Sequence, residues 1–386
     1  MIIKSEPFHF KVDEIYNLEQ LQQEKGVGGR YAYFVFTKIN LTHQKAMIFL
    51  AQKLSINSKR IHFCGAKDKV AITTQLISIQ NCSKEKAQEF AHLLQTQSED
   101  MKLEYVGQFN ERLNLSNNLG NRFEIILEEV NEEQKEKFMR KEEEFKVYNF
   151  FQTQRFGISK NTHKIGLLLI KNKIKDALFE ILLSLPSNID DEEENIKINS
   201  YTTLIQEIKT NFEELSQEEL KAKYQEVKEV LPQFLRGYSS IINHLINTPK
   251  DVSGALRTLP KKLRTLYVHA FQSAIFNKHL LNIKNNNLDI EEINLVGSDM
   301  NNEIRGYEKN IELLQELELS VEDLHLKHMP ELQLYSIRKS VYSIVDSYLC
   351  RELSETSIKI EFTLEAGCYA TQVIAEIGEE EEIVTF

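Results

Sequence analysis

Cysteine is scarce in this 386-residue chain: Cys64, Cys82, Cys350 and Cys368 lie far apart and form no CxxC pair. A disulfide framework and a zinc ribbon have no support in that pattern, and a reducing cytoplasm fits it. With 14 glycines and 6 prolines the chain is neither collagen-like nor of low complexity. Long apolar runs are missing too. The most obvious one, Ile165 to Ile170, is interrupted by Gly166 and falls well short of the ~20 residues that cross a bilayer, so no membrane partner is expected. The opening Met1-Ile-Ile-Lys-Ser-Glu-Pro7 lacks a signal-peptide layout. There is no GxxxxGK(S/T), GxGxxG or HExxH, so the common phosphate, dinucleotide and zinc-protease signatures are absent. What is there is ordinary for a globular protein, 41% hydrophobic and 27% charged. At ~150 residues per domain, the length implies two or three domains.

The formal net charge of −11 argues at first against a nucleic-acid partner. Its distribution changes that. Asp190, Asp191 and Glu192 to Glu194 supply −5 and Glu379 to Glu382 supply −4, so two runs hold most of the excess. The first is expected to be a surface loop. Residues 1–80 carry 11 Lys/Arg against 6 Asp/Glu. Residues 145–175 carry 7 and residues 257–284 carry 6, both with no acid. These segments form either one positive groove that tracks a phosphate backbone or three unrelated solvated faces.

Strand patterns dominate the first 150 residues. Phe8, Phe10 and Val12 alternate, and Tyr31 to Ile39, Ala71 to Ile79, Lys102 to Phe109 and Phe123 to Val130 are β-branched and aromatic. Thr42 and Ser83 are placed to cap helices that cross them. After about residue 158 helical periodicity takes over, over 164–184, 201–230, 235–247, 260–284 and 310–318. Strand character returns at Ile358 to Leu364, followed by a helix over Tyr369 to Ile377. The pattern predicts an α+β domain, with a mixed, mostly antiparallel sheet, interrupted by a mainly helical insertion.

Four stretches could carry chemistry. In Gly65-Ala-Lys-Asp-Lys69 a glycine permits a sharp turn, and Asp68 sits between Lys67 and Lys69. That positive field keeps a carboxylate ionised and fit to act as a nucleophile; a charged turn without chemistry would read the same. Asn149 to Gly157 interleaves aromatics with amides and Arg155, a composition suited to bases and phosphates or to an aromatic core corner. Phe123 in Gly120-Asn-Arg-Phe123 could stack on a base or face the core. In the helix over Leu263 to Asn277, Leu266, Ala270, Ser273, Ala274 and Asn277 share one small-residue stripe, and Arg264 and Gln272 are candidate phosphate contacts. His325 and His328 have metal-ligand spacing but no third partner, so surface histidines are expected. Cys64 reads as a small buried hydrophobe.

Taken together, these stretches resemble the TruD family of tRNA pseudouridine synthases. Lys4, Pro7, Phe10, Val12 and Glu14 follow the family's K-x-x-P-x-x-F-x-V-x-E pattern, and Gly65 to Lys69 with Ala71, Thr73 and Gln75 looks like its catalytic signature. Gly120 to Phe123 looks like its G-N-x-F strand, and Asn149 to Gly157 is similar to N-Y-F-G-x-Q-R-F-G, with Phe150 and Gln152 departing from it. Ala270 to Asn277 and Ala366 to Thr371 match two later segments. The resemblance implies a pseudouridine synthase fold, its catalytic domain formed by residues 1–157 and 332–386 around an inserted TruD-specific domain over 158–331. It implies an isomerase acting on uridine 13 in the D-arm of tRNA, without metal or organic cofactor. A cytoplasmic location and a monomeric state are expected with it. Asp68 then matches the nucleophile, Lys4 its lysine partner, Phe123 a base-stacking aromatic, and Asn121 a residue that binds uracil or orients the Asp68 loop. Lys67, Lys69, Arg155, Arg264 and Gln272 are the expected RNA contacts. The basic and aromatic segments alone would equally suit a non-catalytic RNA-binding or RNA-chaperone module. An aspartate-nucleophile phosphotransferase lacks the second carboxylate that would hold its metal.

Overall fold

The structure, a computed structural model, describes residues 1–157, 159–185, 192–380 and 382–386. The chain forms two compact units: Met1–Val147 with Tyr342–Glu381, and Tyr148–Val341 with Glu382–Phe386. The first unit is α+β and built from both ends of the chain; the second is mainly helical.

A ten-stranded sheet organises the first unit. Across it run Met101–Phe109, Val27–Ile39, Ile72–Gln80, Phe10–Ile15, Gly120–Glu128, Ser357–Glu365, Tyr342–Ser354 and Phe145–Tyr148. Ile2–Ile3 adds to the Gly120–Glu128 strand and Ile61–Phe63 to the Ile72–Gln80 strand. Phe10–Ile15 runs parallel to Ile72–Gln80. The other described registers of this sheet are antiparallel. Alternation sets the faces. Phe10 and Val12, Phe123, Ile125 and Leu127, and Ile358, Ile360 and Phe362 turn to one core, closed by Phe138 and by the helix Ala370–Gly378. Phe34, Phe36, Ile77, Ile79 and Leu103 pack under the helices His43–Lys53 and Lys84–Gln97. Thr42 and Ser83 cap those two helices, their side chains accepting from Lys45 N and Lys86 N.

Gly120 is required by its neighbour. A Cβ there would stand 2.4 Å from the Leu364 carbonyl oxygen, so only glycine lets these strands close at the start of Gly120–Glu128. In the second unit Gly166 does the same for helices: a Cβ would meet the Tyr267 carbonyl oxygen at 2.2 Å, where Thr162–Ile170 crosses Lys261–Asn285.

Several expectations change. Phe8 is exposed in a short 3-10 turn, Pro7–His9, and the strand starts at Phe10. The stretch 164–184 is two helices, Thr162–Ile170 and Ile174–Leu182, parted at Asn172 with φ 58°. The stretch 201–230 is also two, Glu192–Asn211 and Gln217–Glu229, parted where Ser216 starts the second with a capping box. Of the acidic run, Asp190 and Asp191 lie outside the described residues, and Glu192 to Glu194 are helical rather than loop. The second unit extends past the expected limits of 158 and 331. Phe150, Phe151 and Phe156 are buried, and Asn277 bonds the Phe151 main chain to the helix Lys261–Asn285. Downstream, Leu332 and Leu334 join that unit's core, and Arg338–Ser340 pairs with Glu292–Asn294.

Candidate active site

Asp68 lies in the segment 64–71 that links Phe63 to Ile72, at the start of the interior strand Ile72–Gln80. Gly65 needs no special conformation: its φ lies outside the left-handed region and a Cβ there would meet open space. The segment is held by side chains from four directions. Gln75 Nε2 donates to the Gly65 carbonyl at 3.2 Å. Lys67 turns inward, its Nζ donating to Asn121 Oδ1 at 2.6 Å and standing 3.3 Å from Glu14 Oε1. Lys38 Nζ donates to the Asp68 carbonyl. Lys4 Nζ donates to Asp68 Oδ2 at 2.6 Å.

Strand register explains why these residues meet. Glu14 pairs with Asn121, Val12 with Phe123 and Thr73, and Lys38 with Thr73. Glu14, Asn121, Thr73, Gln75 and Lys38 therefore share one face of four adjacent strands, under the Asp68 segment. These five polar side chains form a dry patch on a face otherwise lined by Val12, Phe123 and Phe36. Glu14 is buried, its Oε2 accepting from Leu76 N at 2.9 Å, and desolvation raises its carboxyl even against the nearby Lys67. Burial pushes the Lys38 ammonium down to about 8, Asp68 opposing the shift and Lys67 adding to it. Burial, reinforced by Lys38 and Lys67, also holds His43 down to about 4, so its imidazole is neutral at physiological pH. The Asp68 side chain, by contrast, is 44% exposed and open to a substrate.

Lys4 is placed from below. Its ammonium sits 4.0 Å over the Phe10 ring, and Phe10 meets Phe123 edge-on at 6.2 Å. Its backbone takes φ 65°, a left-handed conformation that is strained for a residue with a Cβ.

A sequence model of the family described as tRNA pseudouridine synthase D (TruD) matches residues 1–298 and 292–377 of this chain. The chain belongs to the TruD family. A relative from Methanococcoides burtonii, named "Probable tRNA pseudouridine synthase D", is 27% identical over 93% of this chain and 90% of its own length. The tRNA pseudouridine synthase D of Aquifex aeolicus is 28% identical over 72% of this chain and 65% of its own length. A crystal structure assigned to TruD of Methanosarcina mazei superposes with a TM-score of 0.70, covering 98% of this chain and 93% of that one at 23% identity, which establishes the fold.

For a TruD chain, the structure brings Lys4 and Asn121 to the Asp68 segment, Lys4 on the Asp68 carboxylate and Asn121 on Lys67, with Lys69 exposed beside them. It redirects others. Lys67 is an internal tether rather than a surface cation. Phe123 is a core ring, 6% exposed, with one face stacked on Phe362 at 5.3 Å; it is not presented as an open platform. Arg264 and Gln272 do not offer phosphate contacts. Arg264 is buried against Glu331 and the Leu259 carbonyl, and Gln272 donates to the carbonyls of Val296 and Tyr335. Arg155 is half-buried, its Nε 3.1 Å from Ser273 Oγ. Leu266 is exposed, so the small stripe is Ala270, Ser273, Ala274 and Asn277 without it.

Glu14 and Gln75 fall in the family's motifs without an assigned role, and Lys38 falls in none of them. Lys38 had a signal: in Tyr31 to Ile39 it shares the parity of Ala32, Phe34 and Phe36, where a lysine would be buried. His325 and His328 are exposed, and among the described residues no group of three His, Cys, Asp or Glu could hold a metal ion. Cys64 is buried and its thiol is pushed up to about 12 by desolvation, as befits a packing residue. No described helix is long and apolar enough to cross a membrane.

Proposed function

We propose that this TruD-family enzyme isomerises a tRNA uridine to pseudouridine with the Asp68 carboxylate as nucleophile. The observation that carries the reading is the clasp on Asp68: its carboxylate meets Lys4 at 2.6 Å while its side chain stays accessible. Isomerisation must break the N-glycosidic bond, turn the detached uracil and rejoin it to the ribose through carbon. A carboxylate serves that chemistry either by adding to C6 of the base or by displacing the base from C1′. Both routes need it oriented against a nucleotide taken out of its stack, at a cost of a few kcal/mol. Lys4 fixes the carboxylate's rotamer and stabilises its charge. Asn121, bonded by Lys67, orients the segment or meets the uracil edge in this reading. Met1–Val147 with Tyr342–Glu381 is the catalytic domain in this reading, and the helical unit is the inserted family-specific one. The family resemblance supports uridine 13 of the D-arm as the target, a cytoplasmic enzyme and a monomer.

Forming pseudouridine replaces the hydrogen on C5, so tritium release from tRNA carrying 5-tritiated uridine reports turnover. Asp68→Asn is expected to bind tRNA as the unaltered enzyme does and to release no tritium. Release at the unaltered rate would refute the nucleophile assignment. Binding without release by the unaltered enzyme would make the chain a non-catalytic RNA-binding module. Pseudouridine mapping in cells with and without the gene identifies the position.

A further inference from the structure

Asp68 is gripped at two different atoms. Lys4 holds the carboxylate, and Lys38 holds the main-chain carbonyl of the same residue. The second grip is the unusual one. Lys38 is completely buried, on the sheet face shared with Phe34 and Phe36, and among the described residues the Asp68 carbonyl is its one hydrogen-bond partner. A lysine is among the costliest side chains to bury, and an apolar residue of similar length would fill the same volume without removing a charge from water. Ordinary stability does not account for an ammonium here.

Its position does. Segment 64–71 has no secondary structure of its own around Asp68, so its course depends on the tethers. Gln75 fixes it at Gly65, and Lys67 fixes it through Asn121 and Glu14. Among the described residues, Lys38 alone bonds the peptide unit of Asp68 itself. With the carbonyl pinned from within the sheet and the carboxylate pinned by Lys4, the side-chain torsions between them have little freedom. An attacking group needs that restriction, since a displacement of about 1 Å can cost on the order of 10²-fold in rate.

We propose that Lys38 is a positioning residue for the isomerisation, fixing the backbone of Asp68 so that its carboxylate reaches the reacting nucleotide in one orientation. The proposal rests on Asp68 being the nucleophile.

The test uses the full chain with Lys38→Met, an apolar side chain of similar length, beside the unaltered enzyme and Asp68→Asn. Tritium release under single-turnover and steady-state conditions gives kcat and the tRNA KM, and thermal unfolding gives Tm. Lys38→Met is expected to lower kcat on the order of 10²-fold, to leave KM within about threefold, and to keep or raise Tm because a buried charge has gone. A purely structural lysine would instead lower Tm. A kcat within about twofold of the unaltered enzyme, or a loss that follows a fall in Tm, overturns the proposal. Should Lys38→Met not fold, Lys38→Ala is assayed with added ethylamine. Saturable recovery of kcat supports the tether, and no recovery overturns it. Turnover by Asp68→Asn would instead sink the nucleophile reading on which the tether depends.

Discussion

At the scale of single residues, the site is a set of cations spent on one short segment. The Lys4–Asp68 pair is partly solvated, and exposed pairs contribute only about 0–1 kcal/mol to stability. Its value is in orientation. Lys4→Met is therefore expected to leave Tm almost unchanged while lowering kcat by roughly 10- to 100-fold; parallel unfolding and tritium-release measurements separate the two effects. Lys38 makes a different prediction. Its ammonium is pushed down to about 8 by burial, from an ordinary 10.5. Between those values the unfolded chain still holds the proton that the folded chain has shed. Stability from this group thus rises with pH across that window, and is lowest below it. Asp68, Lys67 and His43 are the charged or titratable groups that couple to it, and His43 is already neutral above about 4. The Tm advantage expected of Lys38→Met at pH 7 should shrink as pH rises above 8. An advantage that stays constant would mean that Lys38 keeps its proton across this window, its ammonium not pushed down in the fold. Phe123, held between Phe10 and Phe362, should behave as a core residue. Phe123→Ala is expected to cost about 3–5 kcal/mol of stability in denaturant unfolding.

Among the elements, the strand Gly120–Glu128 does most to assemble the site. It pairs with Phe10–Ile15 on one side and Ser357–Glu365 on the other, so it joins the two ends of the chain. Its first residues set the register that places Asn121 opposite Glu14 and Phe123 opposite Val12. Gly120→Ala would force a Cβ against the Leu364 carbonyl. A loss of about 1–3 kcal/mol and a loss of kcat are expected together, because the strand ends would part where Asn121 receives Lys67. Full stability in Gly120→Ala would show that the strand start can shift. In the helical unit, Asn149 to Gly157 and Ala270 to Asn277 explain each other. Asn277 accepts from Phe151 N at 2.8 Å and donates to Phe151 O at 2.9 Å, and Ser273 meets Arg155. The first stretch suited either RNA or an aromatic core corner and the second carried a small-residue stripe; the two are chiefly contacts for one another.

Across the whole molecule, both units are acidic: 23 Lys/Arg against 30 Asp/Glu in the first and 24 against 28 in the second. Much of the positive charge in the basic stretches of the helical unit is already committed. Lys160 meets Glu382, Lys171 meets Glu318, Lys175 meets Glu213, Arg264 meets Glu331 and Lys278 meets Glu316. Binding of tRNA should then use few phosphate contacts. Each contributes about −0.7 to −0.9 to the slope of log K against log salt, so a slope shallower than about −5 is expected in a filter-binding titration, whereas a slope near −10 would mean that the paired cations are released to the RNA.

Patterns that act locally were legible in the sequence. Alternation in Tyr31 to Ile39 and Ala71 to Ile79, the caps Thr42 and Ser83, and the aspartate flanked by lysines in a strand-to-strand link all depend on neighbours in the chain. The strand Tyr342–Ser354 was missed because its exposed Ile344, Leu349 and Leu353 blur the alternation. By itself the sequence determined the α+β class, the helical interruption and Asp68 as the group to watch, since periodicity and the chemistry of a side chain are properties of short stretches. Only the tertiary structure decided that Lys67 and Lys38 turn inward, that Phe123 is packed against Phe362, and that Arg264 and Gln272 are occupied internally. Burial and the partner of a charge depend on strand register and packing between residues far apart in the chain, and composition carries no record of either.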